Sequence, residues 1–207
     1  MKTFKGPLKV DCIYRRLDDN FLDPKAFNKD SLIGVPGLFK CWLKKNVGII
    51  NAIGTGVADD KVVYSYVNKM ITYYLGEQPV LDQVETFLCH DDIQRKYVIE
   101  NISKLVVKPA NASGGYGIMI GPKASKKEKE ETIKKIKKNP REFIAQPLET
   151  LSTAPTITDN SIEPRHLDLR PFILNGKTTY VTTGGLTRVA LRKGSTIVDS
   201  SQGGGSK

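Results

Sequence analysis

Short apolar runs separated by polar, Gly-rich segments give this chain the pattern of a mixed α+β protein. Eight runs are apolar or alternate with period two, which predicts β-strands. They are Leu8–Tyr14, Val47–Ile50, Leu105–Lys108, Ile118–Ile120, Phe143–Gln146, Leu167–Leu174, Lys177–Thr182 and Leu186–Arg192. Residues 150–164 predict a loop that holds one strand at most. Asn175-Gly176 is typical of a type I′ turn, and Gly184-Gly185 predicts a break between the last two runs.

Apolar residues at helical spacing predict four helices, at Leu38–Leu43, Lys61–Leu75, Asp92–Asn101 and Ser125–Asn139. Asp59 or Asp60 precedes the second helix and is suited to cap it. Ser125 and Glu128 have the spacing of a capping box at the start of the fourth.

The composition is that of a globular protein. The chain has 207 residues, of which 39% are hydrophobic and 26% charged, enough for one ordinary domain or two small ones. No apolar run approaches the length of a membrane span, and the N-terminus lacks the apolar core of a signal peptide. A cytoplasmic location is therefore expected. Three widely spaced cysteines, with no CxxC pair, predict reduced and unpaired thiols.

Basic residues exceed acidic ones, and the net charge of +10 suits an anionic partner. The segment from Lys123 to Arg141 contains nine basic and three acidic residues. A solvated helix face is the favoured interpretation, and a nucleic-acid surface is the alternative. That segment holds no aromatic residue before Phe143 on which bases would stack, so nucleic-acid binding is disfavoured.

The segment VVKPANASGGYGIMI combines a strand-end lysine with a glycine loop. Lys108 follows apolar neighbours, and a lysine in such a place usually has an anionic partner. Gly114, Gly115 and Gly117 would let backbone N–H groups approach phosphate oxygens. Neither the P-loop nor the dinucleotide fingerprint is present. An ordinary hairpin turn remains the alternative.

A second candidate site lies in HLDLRPFILNGK and GGLTRVALR. Asp168 and Arg170 share one face of a predicted strand, and Arg188 lies on the next. Two arginines converging near a lysine would clamp a phosphate. A cross-strand ion pair is the structural alternative.

These motifs, in this order, resemble the ATP-grasp fold. With VDCIYRRLDDNFLDP, GTGVADDKVVYSYV and SSQGGGSK, the chain is similar to the circularly permuted ATP-grasp family of the glutathionylspermidine synthase type, from Val10 to Lys207. The resemblance implies an α+β fold in which two subdomains with antiparallel sheets hold ATP between them. It implies a permuted strand and loop region at about 8–60, a small nucleotide-binding subdomain at 61–147 and part of the larger sheet at 148–207.

The resemblance also implies roles for named residues. Lys61 and Lys108 would contact ATP, the loop Ser113–Gly117 would close over its phosphates, and the hinge around Gln146 would read the adenine edge. Arg170 and Arg188 would steady the transferring phosphoryl group. Mg²⁺ would be held by Asp11, with Asp18 or Asp19 as alternatives. For Asp18 and Asp19 a structural role, capping a loop, is favoured at least equally.

The implied activity is an ATP-dependent carboxylate–amine ligase that acts through an acyl-phosphate. The partners would be small-molecule or peptide carboxylates and amines, with no membrane. Members of the resembling family are about twice this long, with more sequence before VDCIYRR and after SSQGGGSK. A short gene, a fragment and a split partner, whose complementary chain would supply the N-terminal region, are the alternatives. A non-catalytic nucleotide-binding module, or a fragment of a larger ligase, is the alternative.

Overall fold

The computed structural model describes residues 2–112, 116–158, 161–196, 198 and 204–206. The chain separates into two compact units, residues 1–77 and residues 78–207. The three segments expected from the resemblance remain a prediction about subdomains. No helix in the described ranges is long and apolar enough to cross a membrane.

The unit of residues 1–77 is built from short elements around a small core. Its strands are β1 Lys2–Thr3, β2 Gly6–Pro7, β3 Cys12–Tyr14 and β4 Gly48–Ile50. Its helical segments are α1 Asp19–Leu22, α2 Leu38–Leu43, a 3₁₀ turn Thr55–Asp59, α3 Lys61–Tyr64, α4 Val67–Met70 and a π turn Ile71–Leu75. β3 and β4 pair in parallel, and Leu22, Leu38 and Ile49 form the buried centre.

Two buried charged side chains brace this unit. Arg15 donates to the carbonyl oxygens of Leu17, Asn51 and Ala52, each at 2.7 Å. Burial favours the neutral form of Asp23, but backbone N–H donors of Gly37, Lys25 and Phe39 outweigh it and lower the carboxyl pKa.

The unit of residues 78–207 contains two four-stranded sheets. The first has the order β5–β8–β6–β7 and is antiparallel, with β5 Phe87–Leu88, β6 Leu105–Pro109, β7 Met119–Ile120 and β8 Phe143–Pro147. Two helices, α5 Asp92–Glu100 and α6 Lys126–Lys138, pack against this sheet. A 3₁₀ turn, Pro140–Glu142, precedes β8. The buried centre holds side chains from both helices and the sheet: Cys89, Val98, Ile102, Leu105, Val107, Met119, Ile136 and Ala145.

The second sheet has the order β12–β11–β10–β9, again antiparallel. Its strands are β9 Thr153–Ile157, β10 Ile162–Asn175, β11 Thr179–Ala190 and β12 Gly204–Ser206. β10 and β11 form the long central hairpin. The predicted break at Gly184-Gly185 is a shift in pairing register and not the end of a strand. Gly185 pairs with Pro171 but Val181 with Ile173, Gly184 has φ +88°, and β11 continues through this point.

Two predicted elements are shorter or less regular than expected. The strand predicted at Leu8–Tyr14 is only β3, because its partner β4 offers three residues for pairing. The single helix predicted over Lys61–Leu75 is wrong, since it is divided into α3, α4 and the π turn. The Ser65 hydroxyl donates to the carbonyl of Val62 at 2.7 Å and competes with regular helical bonding there.

The residues predicted to cap two helices do so, whereas the turn predicted in the central hairpin differs. Asp60 caps α3, and Ser125 with Glu128 forms the predicted capping box of α6. The type I′ turn predicted at Asn175-Gly176 is wrong. Asn175 pairs with Thr179, which leaves a three-residue loop, and Gly176 does not adopt the positive φ that a type I′ turn requires.

Candidate functional site

A chain of hydrogen bonds fixes the side chain of Lys108. Its Nζ donates to Gln146 Oε1 at 2.7 Å, and Gln146 Nε2 donates to Thr86 Oγ1 at 2.8 Å. The Thr86 hydroxyl donates its proton to the carbonyl of Val84 at 2.9 Å. Because that hydroxyl proton is committed, the Thr86 oxygen accepts from the amide NH₂. The amide oxygen of Gln146 is thereby directed to the ammonium group.

Strand register places Lys108 and Gln146 on one face of the first sheet. Val106 of β6 lies opposite Gln146 of β8, and Lys108 lies opposite Ile144. Residues directly opposite each other share a face, so Val106 and Lys108 project to the same side as Gln146. Their neighbours Val107 and Ala145 project to the other side and belong to the buried centre. Alternation along β6 and β8 thus separates the core from the candidate site.

A cavity of about 300 Å³ lies on the face of the sheet that carries Lys108 and Gln146. Its lining is mostly apolar. The polar residues are Lys108, Gln146, Glu149 and Thr196, and the apolar ones are Val84, Val106, Ile118, Ile120, Pro147, Leu148 and Leu151. An apolar slot with a few convergent polar groups is typical of a small-molecule site. The expected hinge comprises residues 145–148. Gln146, Pro147 and Leu148 line the cavity, whereas Ala145 lies in the buried centre on the other face of the sheet.

The glycine loop is described only in part. Ser113, Gly114 and Gly115 lie outside the described residues. Gly117 has φ +71°, and a Cβ there would lie 2.9 Å from Cγ of Pro109. Backbone conformation and close packing therefore both require glycine at this end of the loop.

The second cluster joins the two predicted arginines through one carboxylate. Arg188 lies directly opposite Asp168 in the β10–β11 ladder, and its Nε is 3.1 Å and 3.2 Å from the two carboxylate oxygens. Arg170 Nε lies 3.8 Å from Asp168 Oδ2, and its side chain is 55% exposed. Hydrogen bonds from Arg188 lower the pKa of the Asp168 carboxyl, so this group stays ionised at neutral pH. The cross-strand ion pair is present, with Arg170 more open to solvent than Arg188.

The remaining predicted site residues lie in the other unit. Lys61 begins α3, directly after the Asp60 cap. Asp18 caps α1 and accepts from the N–H of Asn20 at 2.9 Å. Asp19 is 2.7 Å from Arg15 and accepts from the N–H of Gly54 at 3.0 Å. Both side chains therefore have local structural partners.

Asp11 is an exposed residue just before β3, with Lys9 Nζ at 3.2 Å. Within the described ranges no group of three or more His, Cys, Asp or Glu is arranged to hold a metal. Magnesium bound with a nucleotide takes most of its ligands from phosphate and water, and one carboxylate fits that need. Magnesium ligation by Asp11, Asp18 or Asp19 stays a prediction.

The structure adds residues that the sequence pattern did not single out. Thr86 is 60 positions from Gln146, and no local motif connects them. Glu149 lines the cavity just beyond the predicted hinge.

His166 has a structural contact, with Nδ1 at 2.8 Å from the carbonyl of Leu151. Cys89 is fully buried, and burial raises the pKa of its thiol to about 11, which argues against a nucleophilic role.

Comparison with known sequences places this geometry in context. The family model for circularly permuted ATP-grasp type 2 matches residues 1–190. An uncharacterised protein of Synechocystis sp. is 55% identical over 208 residues, which cover 100% of this chain and 43% of the relative. An uncharacterised protein of Mycobacterium tuberculosis is 52% identical over 208 residues, covering 100% of this chain and 38% of the relative.

A third relative carries an activity in its name. "Putative glutamate--cysteine ligase 2-2" of Frankia casuarinae is 48% identical over 199 residues, which cover 96% of this chain and 23% of the relative. That name describes a protein of which the match is a small part. The chain spans less than half the length of each of these three relatives.

Proposed function

This chain belongs to the circularly permuted ATP-grasp type 2 family, and from that premise we propose that it is the nucleotide-binding core of an ATP-dependent ligase. The observation that carries the proposal is Lys108, held by Gln146 at the wall of an apolar cavity. The ligase name of the Frankia relative supports the same reaction class. The reaction proposed is the joining of a carboxylate to an amine.

The cavity would receive the base and first phosphates of ATP. Val106, Ile118 and Leu148 would contact the faces of an adenine ring. Leu148 follows Pro147, which has no backbone N–H, and the N–H of Leu148 would donate to the ring edge. The Lys108 ammonium would neutralise phosphate charge in a site partly screened from water. The loop that ends at Gly117 follows the same strand and would cover the phosphates.

The arginine cluster is the proposed site of charge stabilisation. Bound ATP with magnesium supplies the phosphoryl group that activates a substrate carboxylate. Attack by the carboxylate oxygen on the γ-phosphorus would release ADP and leave an acyl-phosphate. An amine would then attack the acyl carbon, lose a proton and expel inorganic phosphate. Arg170 is the more exposed arginine and would contact the phosphoryl oxygens, while Asp168 and Arg188 hold it in place.

A nucleotide-binding module without catalysis is the second candidate. It is favoured by the short match, because the chain covers 43% and 38% of two relatives that are more than half identical to it. In this case the additional polypeptide of the longer relatives would supply the binding sites for the acid and the amine. ADP release that requires an added acid and amine would identify a ligase, whereas nucleotide binding with no ADP release would identify the module.

The direct test is calorimetric titration of ATP, with and without magnesium, into the wild-type chain and into Lys108→Ala. We expect wild type to bind, and the variant to bind at least about tenfold more weakly, because charge-assisted hydrogen bonds contribute about 1.5–3 kcal/mol. Lys104→Ala is the matched control, since Lys104 is an exposed lysine just before the same strand. Its affinity should equal that of wild type. Absence of binding by the wild-type chain would exclude both candidates.

A further inference from the structure

The outer part of the β10–β11 hairpin, residues 168–187, leaves large apolar side chains in solvent. Six of them are between 54% and 64% exposed: Leu169, Phe172, Ile173, Leu174, Tyr180 and Val181. Ile173 lies opposite Val181, and Leu174 lies opposite Tyr180. Directly opposed residues share a face and successive residues alternate, so this outer hairpin presents an apolar pair on each face.

The outer hairpin also has open edges within the described part of the chain. β9 pairs with β10 only over residues 162–166, and β12 pairs with β11 only over residues 188–190. Beyond those limits, no described strand pairs with the outer side of either strand. Every second residue there directs its N–H and C=O groups away from the hairpin. Such an edge accepts an added strand.

The exposed apolar side chains and the open strand edges both indicate that another polypeptide packs on the outer hairpin. A two-stranded hairpin by itself is marginally stable in water, and apolar side chains on both of its faces add to the cost of exposure. Contiguous apolar surface of this kind usually marks an interaction site. A second copy of this chain would bring a further net charge of +10, which opposes association of two copies.

The lengths of the relatives indicate a different occupant. The Synechocystis relative matches the entire chain at 55% identity, yet the match is only 43% of its length. We propose that the outer hairpin is the docking surface for the additional polypeptide that the longer relatives carry. An extended segment of that polypeptide adds a strand to one open edge, and its apolar side chains cover the exposed pairs. This inference does not rest on the proposed nucleotide site at Lys108, although residues 168–187 include Asp168 and Arg170 of the arginine cluster.

Hydrogen exchange measured by mass spectrometry tests the proposal on intact proteins. Peptides from residues 168–187 are followed in the 207-residue chain, and the matching peptides are followed in the full-length Synechocystis relative. We expect amide exchange there to be at least about tenfold slower in the relative, because an added strand pairs the edge amides. Peptides from β6 and β8 are the internal control and should be protected similarly in both proteins.

Three results would overturn the proposal. One is equal exchange of the hairpin peptides in the two proteins. Another is strong protection in the 207-residue chain at the lowest usable concentration, which would mean that its own residues cover the hairpin. The third is protection that grows with the concentration of this chain together with a dimer mass in light scattering, which would identify a second copy as the occupant.

Discussion

At the scale of single residues, hydrogen-bond partners determine what each charged group is able to do. Lys108 is oriented by a neutral amide, so its positive charge is not cancelled by that partner. Asp19 and Asp23 are carboxylates engaged by an arginine or by backbone donors, which explains their structural role. Asp168 is engaged by Arg188 but is also 3.8 Å from Arg170. Within this cluster Arg170, whose side chain is 55% exposed, is therefore the charged group most open to a ligand.

The bond from Gln146 to Thr86 predicts an indirect effect on phosphate binding. Thr86→Val removes the acceptor while nearly preserving the side-chain shape, and Gln146 is then free to turn its amide. We expect ATP affinity to fall by about fivefold, the value of one hydrogen bond of about 1 kcal/mol. Calorimetric titration with ATP and with adenosine measures the effect.

Thr86→Ser keeps the hydroxyl and should retain wild-type ATP affinity. Adenosine lacks the phosphates that Lys108 would contact, so its affinity should be the same in wild type and in Thr86→Val. An equal loss for ATP and adenosine would show that Thr86 acts on the cavity walls and not through Lys108.

At the scale of elements, a close backbone contact at Gly121 fixes the position of β7 beside β6. Gly121 follows β7, and its N–H donates to the carbonyl of Leu105 at 2.9 Å. A Cβ at Gly121 would lie 2.0 Å from the carbonyl oxygen of Ile102 and 2.6 Å from that of Leu105. Only glycine permits this approach, which holds β7 beside β6 at the base of the candidate site.

Gly121→Ala should destabilise the unit of residues 78–207. Because two carbonyl groups must move, we expect the free energy of unfolding to fall by about 2 kcal/mol or more, measured by urea denaturation with circular dichroism. Gly176→Ala is the control, since nothing lies within 4 Å of a Cβ there and φ is not positive. Its stability should change by no more than about 0.5 kcal/mol. Equal effects of the two substitutions would contradict this explanation.

At the scale of the whole molecule, the two units are distinguished by their thiols. Cys12 and Cys41 are exposed in the unit of residues 1–77, whereas Cys89 is buried in the unit of residues 78–207. Cys89 lies in the buried centre behind the sheet whose other face carries the candidate site. Its accessibility therefore reports the opening of the unit that would bind a nucleotide.

Thiol labelling followed by peptide mass spectrometry measures this opening. Burial raises the pKa of Cys89 to about 11, so at mildly alkaline pH it is protonated as well as inaccessible. We expect Cys12 and Cys41 to react promptly and Cys89 only after the unit opens. ATP at 100 times its Kd should slow Cys89 labelling by up to about 100-fold and leave the other two thiols unchanged. Equal rates for all three thiols would contradict the buried position of Cys89.

The sequence by itself determined most elements and the family. Local periodicity predicted α2, α5 and the strands around Lys108, and periodicity together with a capping box predicted α6, because those signals lie within a few residues of each other. The long motifs carried the family resemblance, which the family match confirms. The mixed architecture with antiparallel sheets follows the α+β prediction, and the placement of ATP between two subdomains stays a prediction.

Only the tertiary structure decided which residues meet. The bond between Gln146 and Thr86, the cavity beside Glu149 and the register that sets Arg188 opposite Asp168 join positions 20 to 60 residues apart. Strand pairing creates such contacts, and no local pattern encodes them. The length of β3 depended in the same way on its partner β4, and continuity through Gly184-Gly185 depended on pairing with β10. Hydrophobic spacing specifies an element, whereas its limits and its polar contacts depend on the neighbour it packs against.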